Sequence, residues 1–191
     1  MAFAPVVLAI IIGSLVGFAR RGRLTALAGV RIASISLFVV AVVCGIAVDQ
    51  FDLPQPGLIA VAGLVAALVF TLRNLRLVGM AVVSVGVIAN LVPVALNGAT
   101  PVRADALVEA GMVDAEDLDR VVLSGPREIA DADTQLGFLG DTIPLAVADQ
   151  VVSFGDLIIL IGIADVLANL MVRRRRRRVP TSALASLEAF G

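Results

Sequence analysis

Residues 151–178 read VVSFGDLIILIGIADVLANLMVRRRRRR. The apolar run from Val151 to Val172 carries only two carboxylates, Asp156 and Asp165, and then meets six consecutive arginines, Arg173 to Arg178. A helix rises 1.5 Å per residue, so about twenty apolar residues cross a ~30 Å hydrocarbon core. A run of that length ending in clustered cations predicts a membrane span with its carboxyl end in the cytoplasm.

Working back toward the amino end, four more apolar runs occur, at 3–19, about 24–48, 57–72 and 77–96. Arg20, Arg21 and Arg23 follow the first run. Asp49, Asp52, Pro54 and Pro56 follow the second. Arg73 and Arg76 follow the third, and an acidic stretch follows the fourth. Arginines lie after runs one, three and five, and acids after runs two and four. Under the positive-inside rule every loop agrees with one topology: five spans, amino end outside, carboxyl end in the cytoplasm. No positive stretch precedes Phe3, so the first run reads as a retained helix, not a signal peptide. The predicted fold is all-α: an integral membrane bundle of about five transmembrane helices in one membrane domain, 1–176, with a cytoplasmic tail, 177–191.

Composition agrees. The chain is 59% hydrophobic with a mean hydropathy of +1.01, against about 45–50% apolar for soluble domains. The net charge of -1 hides segregation. Residues 103–150 hold eleven acidic residues and three arginines, and the other twelve arginines lie elsewhere. This pattern fits a membrane protein and not a nucleic-acid binder. The Ala, Val, Gly and Arg bias without Lys suggests a GC-rich bacterial source, hence the bacterial plasma membrane. The expected partners are the bilayer, anionic headgroups at Arg173, Arg174, Arg175, Arg176, Arg177 and Arg178, and another membrane protein.

The extracytoplasmic loop, 97–150, predicts a small helical cap. Ala104 to Met112 has helical apolar spacing, and Asp114 is placed to cap a second short helix. Ser124, Gly125 and Pro126 predict a turn, and Leu139 to Pro144 is expected to fold back onto the outer mouth.

The residue inventory excludes much chemistry. The chain has no His, Lys, Trp or Tyr and one cysteine, Cys44. Without His or Lys, neither Ser-His-Asp nor Ser-Lys hydrolysis is available within the chain. Cys44 has no base beside it in its apolar run. Carboxylates alone make a poor zinc site, the acidic segments lack the Gly and Glu of a calcium loop, and no phosphate-binding Gly loop occurs. No metal and no cofactor are expected. Asp156 and Asp165 lie nine residues apart, on opposite faces of a helix, so they cannot form an aspartyl dyad.

Polar residues at membrane depth are the functional pointers. Gly79, Gly86, Asn90, Pro93 and Asn97 fall on one stripe of the fourth helix. The stripe reads either as a packing seam, where glycines let backbones approach and amides bond a neighbour, or as a polar cavity opening outward. Asp156 sits where a helix amino end welcomes a carboxylate. Asp165 lies roughly 12 Å inside the cytoplasmic boundary, and Arg31 is its expected partner in an ion pair clamping helices two and five.

Three segments carry a resemblance: Asn97-Gly-Ala-Thr-Pro-Val102, Leu139-Gly-Asp-Thr-Ile-Pro144 and Ser153-Phe-Gly-Asp156. Together they resemble a family of small actinobacterial and clostridial membrane proteins catalogued only as a domain of unknown function. The resemblance runs from Leu15 to about Arg176. The chain departs from the family at Ala99 and Thr100, where Gly and Met are favoured, and it lacks the His often found in the middle of the loop. The resemblance implies a membrane location and raises Asn90, Asn97, Pro101, Asp141 and Asp156 as a shared outer-face site, with Ser153 beside them. The leading functional expectation is a non-enzymatic structural or partner-binding membrane protein. A small-solute or ion carrier comes second, using Asn90, Asn97, Asp141, Ser153 and Asp156. A membrane enzyme is third.

Overall fold

A computed structural model describes residues 3–172. The expectations for Arg173 to Arg178 and for the tail lie outside these residues. The chain is mostly helical. The long helices are α1 (Phe3–Ala19), α2 (Ile35–Gln50), α3 (Pro56–Arg73) and α4 (Met80–Asn97), with α6 (Phe154–Val172) after the cap. Three of them, α3, α4 and α6, are long and apolar enough to cross a membrane, while α1 and α2 are shorter apolar helices. Most of their Val, Leu, Ile and Phe side chains point outward, with Leu8, Leu15, Val43 and Leu58 each more than half exposed. A surface this apolar suits lipid, which imposes no cost on exposed hydrocarbon.

The order of packing is α2 on α3, α3 on α4, α4 on α6, and α6 on α1. Glycines set the closeness of two of these contacts. A Cβ at Gly86 would lie 2.6 Å from the Gly155 carbonyl oxygen, and one at Gly162 would lie 2.6 Å from a Val83 methyl. On α1, Gly13 meets the backbone of Ala164 and Gly17 meets Met171. Small residues four apart on α1 therefore admit α6 to backbone contact, as in membrane helix pairs generally. These pairings make α1 and α6 parallel and α4 antiparallel to α6. Arg20, Arg23, Arg31, Arg73 and Arg76 consequently share one end of the molecule. There Arg23 N–H bonds the Met171 carbonyl, Arg73 Nη1 bonds the Ser34 hydroxyl and Arg76 Nη2 bonds the Arg31 carbonyl.

The second helix is shorter than its apolar run. Residues Leu24–Gly29 form a 3-10 stretch, and the regular helix begins only at Ile35, after Ser34 in a left-handed conformation (φ 53°). The cause is Asn74. Its fully buried amide accepts from Ala33 N–H at 2.8 Å and donates to the Ala33 carbonyl at 2.9 Å, diverting backbone groups a continuous helix would use.

The cap corrects the all-α expectation. Its two short helices are present, α5 (Ala104–Glu109) and a 3-10 turn at Ala115–Arg120, but it also contains a sheet. Strands β1 (Thr100–Val102), β2 (Arg127–Ile129), β3 (Asp141–Leu145) and β4 (Gln150–Ser153) form one sheet ordered β2-β1-β3-β4. The β1 strand pairs parallel with β2 and β3, and β3 pairs antiparallel with β4. Because Gln150–Ser153 belongs to the sheet, the last long helix starts at Phe154 and not at Val151. Gly125 makes the predicted turn (φ 70°) beside the Val48 carbonyl. Asp131 is spent on a tight turn: it accepts from the Thr134 hydroxyl at 2.8 Å, which holds its carboxyl below the usual range.

Candidate functional site

The sheet meets the helices around α6's first turn. Ser153 is the residue before the helix, and Asp156 stands three places on. Asp156 N–H donates to Ser153 Oγ at 2.9 Å, and Ser153 N–H donates to Asp156 Oδ2 at 3.1 Å. This is a reciprocal capping box built with Asp. It satisfies two of the amino-terminal donors that a helix leaves open. Asn90 of α4 closes the network from the other side. Its amide donates to Asp156 Oδ1 at 2.6 Å and its carbonyl accepts from Ser153 Oγ at 2.8 Å. Gly155 permits this, because a Cβ there would sit 1.8 Å from Asn90 Oδ1.

Asp141 enters from the sheet, opposite Ser153 in the β3–β4 register. It is only 6% exposed. Its Oδ2 accepts from Arg127 Nε at 3.2 Å, and Arg127 Nη1 also lies 3.9 Å from Asp49 Oδ1 at the end of α2. Burial pushes the Asp141 carboxyl up from 3.8 to about 6, and the nearby Asp156 charge adds to the rise. Arg127 pulls the other way, by charge and hydrogen bond, without cancelling it.

These groups line a cavity of about 240 Å³. The lining mixes polar residues, among them Asp49, Asn90, Arg127, Asp141, Ser153 and Asp156, with apolar ones such as Val48, Leu64, Pro93, Val94, Pro126 and Leu139. Among the described residues no group of three His, Cys, Asp or Glu is placed to hold a metal ion.

Four of the five outer-face residues chosen from sequence therefore come together: Asn90, Asp141, Ser153 and Asp156. Asn97 does not join them. Its side chain spans the Pro93 carbonyl and both backbone groups of Gln135, fastening the loop to the end of α4. The Arg31–Asp165 pair is not among the ion pairs of the described residues. Arg31 lies in the linker that Asn74 holds outside α2, while Asp165 Oδ1 accepts from Asn169 one turn on at 2.7 Å. Arg20, and not Arg31, approaches this group, donating to Asn169 Oδ1 at 3.2 Å. Sequence reasoning missed Asp49 and Arg127. A signal existed for Arg127, one of three arginines stranded in an otherwise acidic loop.

A model of a family of unknown function, DUF5317, matches residues 25–168, which takes in α2, α3, α4, the whole cap and most of α6. No curated protein and no solved structure matches the chain.

Proposed function

The chain belongs to the DUF5317 family, and from that premise we propose a non-enzymatic structural or partner-binding protein of the bacterial plasma membrane. It crosses the bilayer five times, with its amino end outside, its carboxyl end in the cytoplasm and the sheet-bearing cap on the outer face. Spans α1 and α2 are the shorter ones, matched by local thinning or anchoring at their arginine-bearing ends. The sharing of one molecular end by Arg20, Arg23, Arg31, Arg73 and Arg76, opposite the acidic cap, supports this orientation.

The observation that carries the reading is the closed Asn90–Ser153–Asp156 network. These polar groups bond one another, so their first effect is to fix α4, α6 and the cap together. Photocrosslinking from Val122, which is 92% exposed on the cap, tests it in native membranes. One adduct of defined mass is expected, and its absence across several cap positions would count against partner binding.

The cavity favours one second reading, a small-solute or ion carrier using Asp141 and Asp156. Uptake that disappears in Asp141→Asn and Asp156→Asn, with no crosslinked partner, would replace the first reading with this one.

A further inference from the structure

We propose that the arginine-bearing end of the molecule holds an anionic phospholipid, its phosphate on Arg31, Arg73 and Arg76 and its acyl chains along Leu72, Leu75 and Val78. This rests on the membrane reading above and adds a ligand to it, at the end opposite the cap.

The linker before α2 gathers these arginines. Arg73 Nη1 donates to Ser34 Oγ at 2.9 Å, and Arg76 Nη2 donates to the Arg31 carbonyl at 2.6 Å. Between them the fully buried Asn74 grips both backbone groups of Ala33. Three neighbouring side chains thus strap residues 31–34 and keep Ser34 left-handed (φ 53°), a conformation that persists only where the surroundings fix it. Arg73 and Arg76 each spend one of five N–H donors on the strap. The Arg31 side chain bonds nothing among the described residues. Three guanidiniums therefore surround one short, fixed segment with most of their donors open.

The charge of this end sets the sign of the ligand. None of Arg20, Arg23, Arg31, Arg73 and Arg76 pairs with a carboxylate among the described residues, whose ion pairs all lie at the capped end. Asp165 of α6 is taken by Asn169. Guanidiniums without a carboxylate suit phosphate, which matches the same forked geometry. The apolar neighbours set the class. Leu72, Leu75 and Val78 flank the two arginines along the chain and are 48%, 49% and 61% exposed. A free phosphate or an acidic peptide would leave them in water. A lipid covers them with its chains while its phosphate meets the cations, as in basic pockets at membrane boundaries generally.

The test exchanges the full chain in detergent micelles with phosphatidylglycerol, phosphatidylcholine or inorganic phosphate and counts bound species by native mass spectrometry. Phosphatidylglycerol is expected to bind at least about tenfold tighter than either of the others. Arg73→Gln with Arg76→Gln should weaken it at least about tenfold, at about fivefold for each arginine beside a phosphate. Arg20→Gln with Arg23→Gln removes the same charge from the same end and should weaken it less than about threefold. Replacing Arg173 to Arg178 by Gln should leave the selectivity in place. Equal losses from the two double variants would overturn the proposal in favour of a diffuse positive field. So would selectivity lost with Arg173 to Arg178, free phosphate binding as tightly as the lipid, or phosphatidylcholine binding equally. Each of these leaves the membrane reading standing, whereas a chain that takes up neither detergent nor lipid overturns both. Should Arg73→Gln with Arg76→Gln fail to fold, Arg31→Gln decides, since its guanidinium has no bond within the described residues to lose. About fivefold weaker binding is expected there, and unchanged binding would overturn the proposal.

Discussion

Asn90 and Asp156 are joined at 2.6 Å where α4 crosses the start of α6. The bond runs between two helices whose backbones already touch at Gly86 and Gly155. It therefore orders three things together: the crossing, the helix start and the strand that feeds it. The Asp156 carboxylate accepts from the Ser153 N–H and the Asn90 amide at the start of α6, a more favourable setting than lipid.

Asn90→Leu removes both arms of this link and leaves Ser153 Oγ and Asp156 Oδ1 short of a partner. A loss of about 1–3 kcal/mol follows from one unsatisfied buried polar group. It should appear as a lower thermal midpoint in detergent. An unchanged midpoint would show that the network is ornamental.

Gly155→Ala places a methyl group on the Asn90 amide, and neither backbone can retreat because Gly86 already packs on the Gly155 carbonyl. The expected cost is about 1–3 kcal/mol from overpacking, with reduced folded yield. Gly137→Ala is the control, since its added Cβ would meet only Thr134 Cγ2 at 3.4 Å. Equal yields for the two variants would contradict the seam.

Asp141 makes stability depend on pH with a defined sign. Its carboxyl titrates at about 6 in the fold, against 3.8 as the ordinary value. Between these values the folded chain holds a proton that the unfolded chain has released, so stability falls as pH rises through the window. The cost is fully present above about pH 6 and reaches about 3 kcal/mol at most. Asp141→Asn should flatten the profile between pH 4 and about 6.5 relative to wild type. Parallel profiles, measured by denaturant titration in detergent, would place the titrating group elsewhere.

Orientation is open to a labelling test. In a Cys44→Ser background, an impermeant maleimide should react with Val122→Cys on intact cells. It should react with Leu24→Cys, which lies beside the arginines of the other end, only after permeabilisation. The reverse pattern would invert the topology.

The helices were legible because each is an apolar run bounded by charge or proline, a signal contained within one segment. The boundaries of α2 and α6 were not, because distant residues set them: Asn74 captures Ala33, and β3 captures 150–153. The sheet was hidden for the same reason. Its strands are three to five residues long, too short for alternation to register, and β1 and β3 contain Pro101 and Pro144, which argue against strands locally. In the site, Asn90, Ser153 and Asp156 stood out as polar residues in apolar surroundings. Asp49 and Arg127 looked like ordinary surface charges, since nothing local tells that the β2 turn brings them within 3.9 Å. Arg31 was chosen for Asp165 as a residue of the cytoplasmic half; it lies in the linker before Ile35, and Asp165 Oδ1 accepts from Asn169.

The pairing of α4 with α6 is out of step along its axis. Ser153 and Asp156 lie level with Asn90, so α4 climbs on to Asn97, about 10 Å higher, with no companion turn of α6 beside it. At the opposite end Gly79 faces Val166, and α6 runs on past it to Val172. Over those last turns of α4 the cap takes the place of a helix, with β1 and the 3-10 turn at Gly137–Leu139 packed against α4. The Asn90–Ser153–Asp156 network is thus set about 10 Å below the end of α4, at the level where α6 begins.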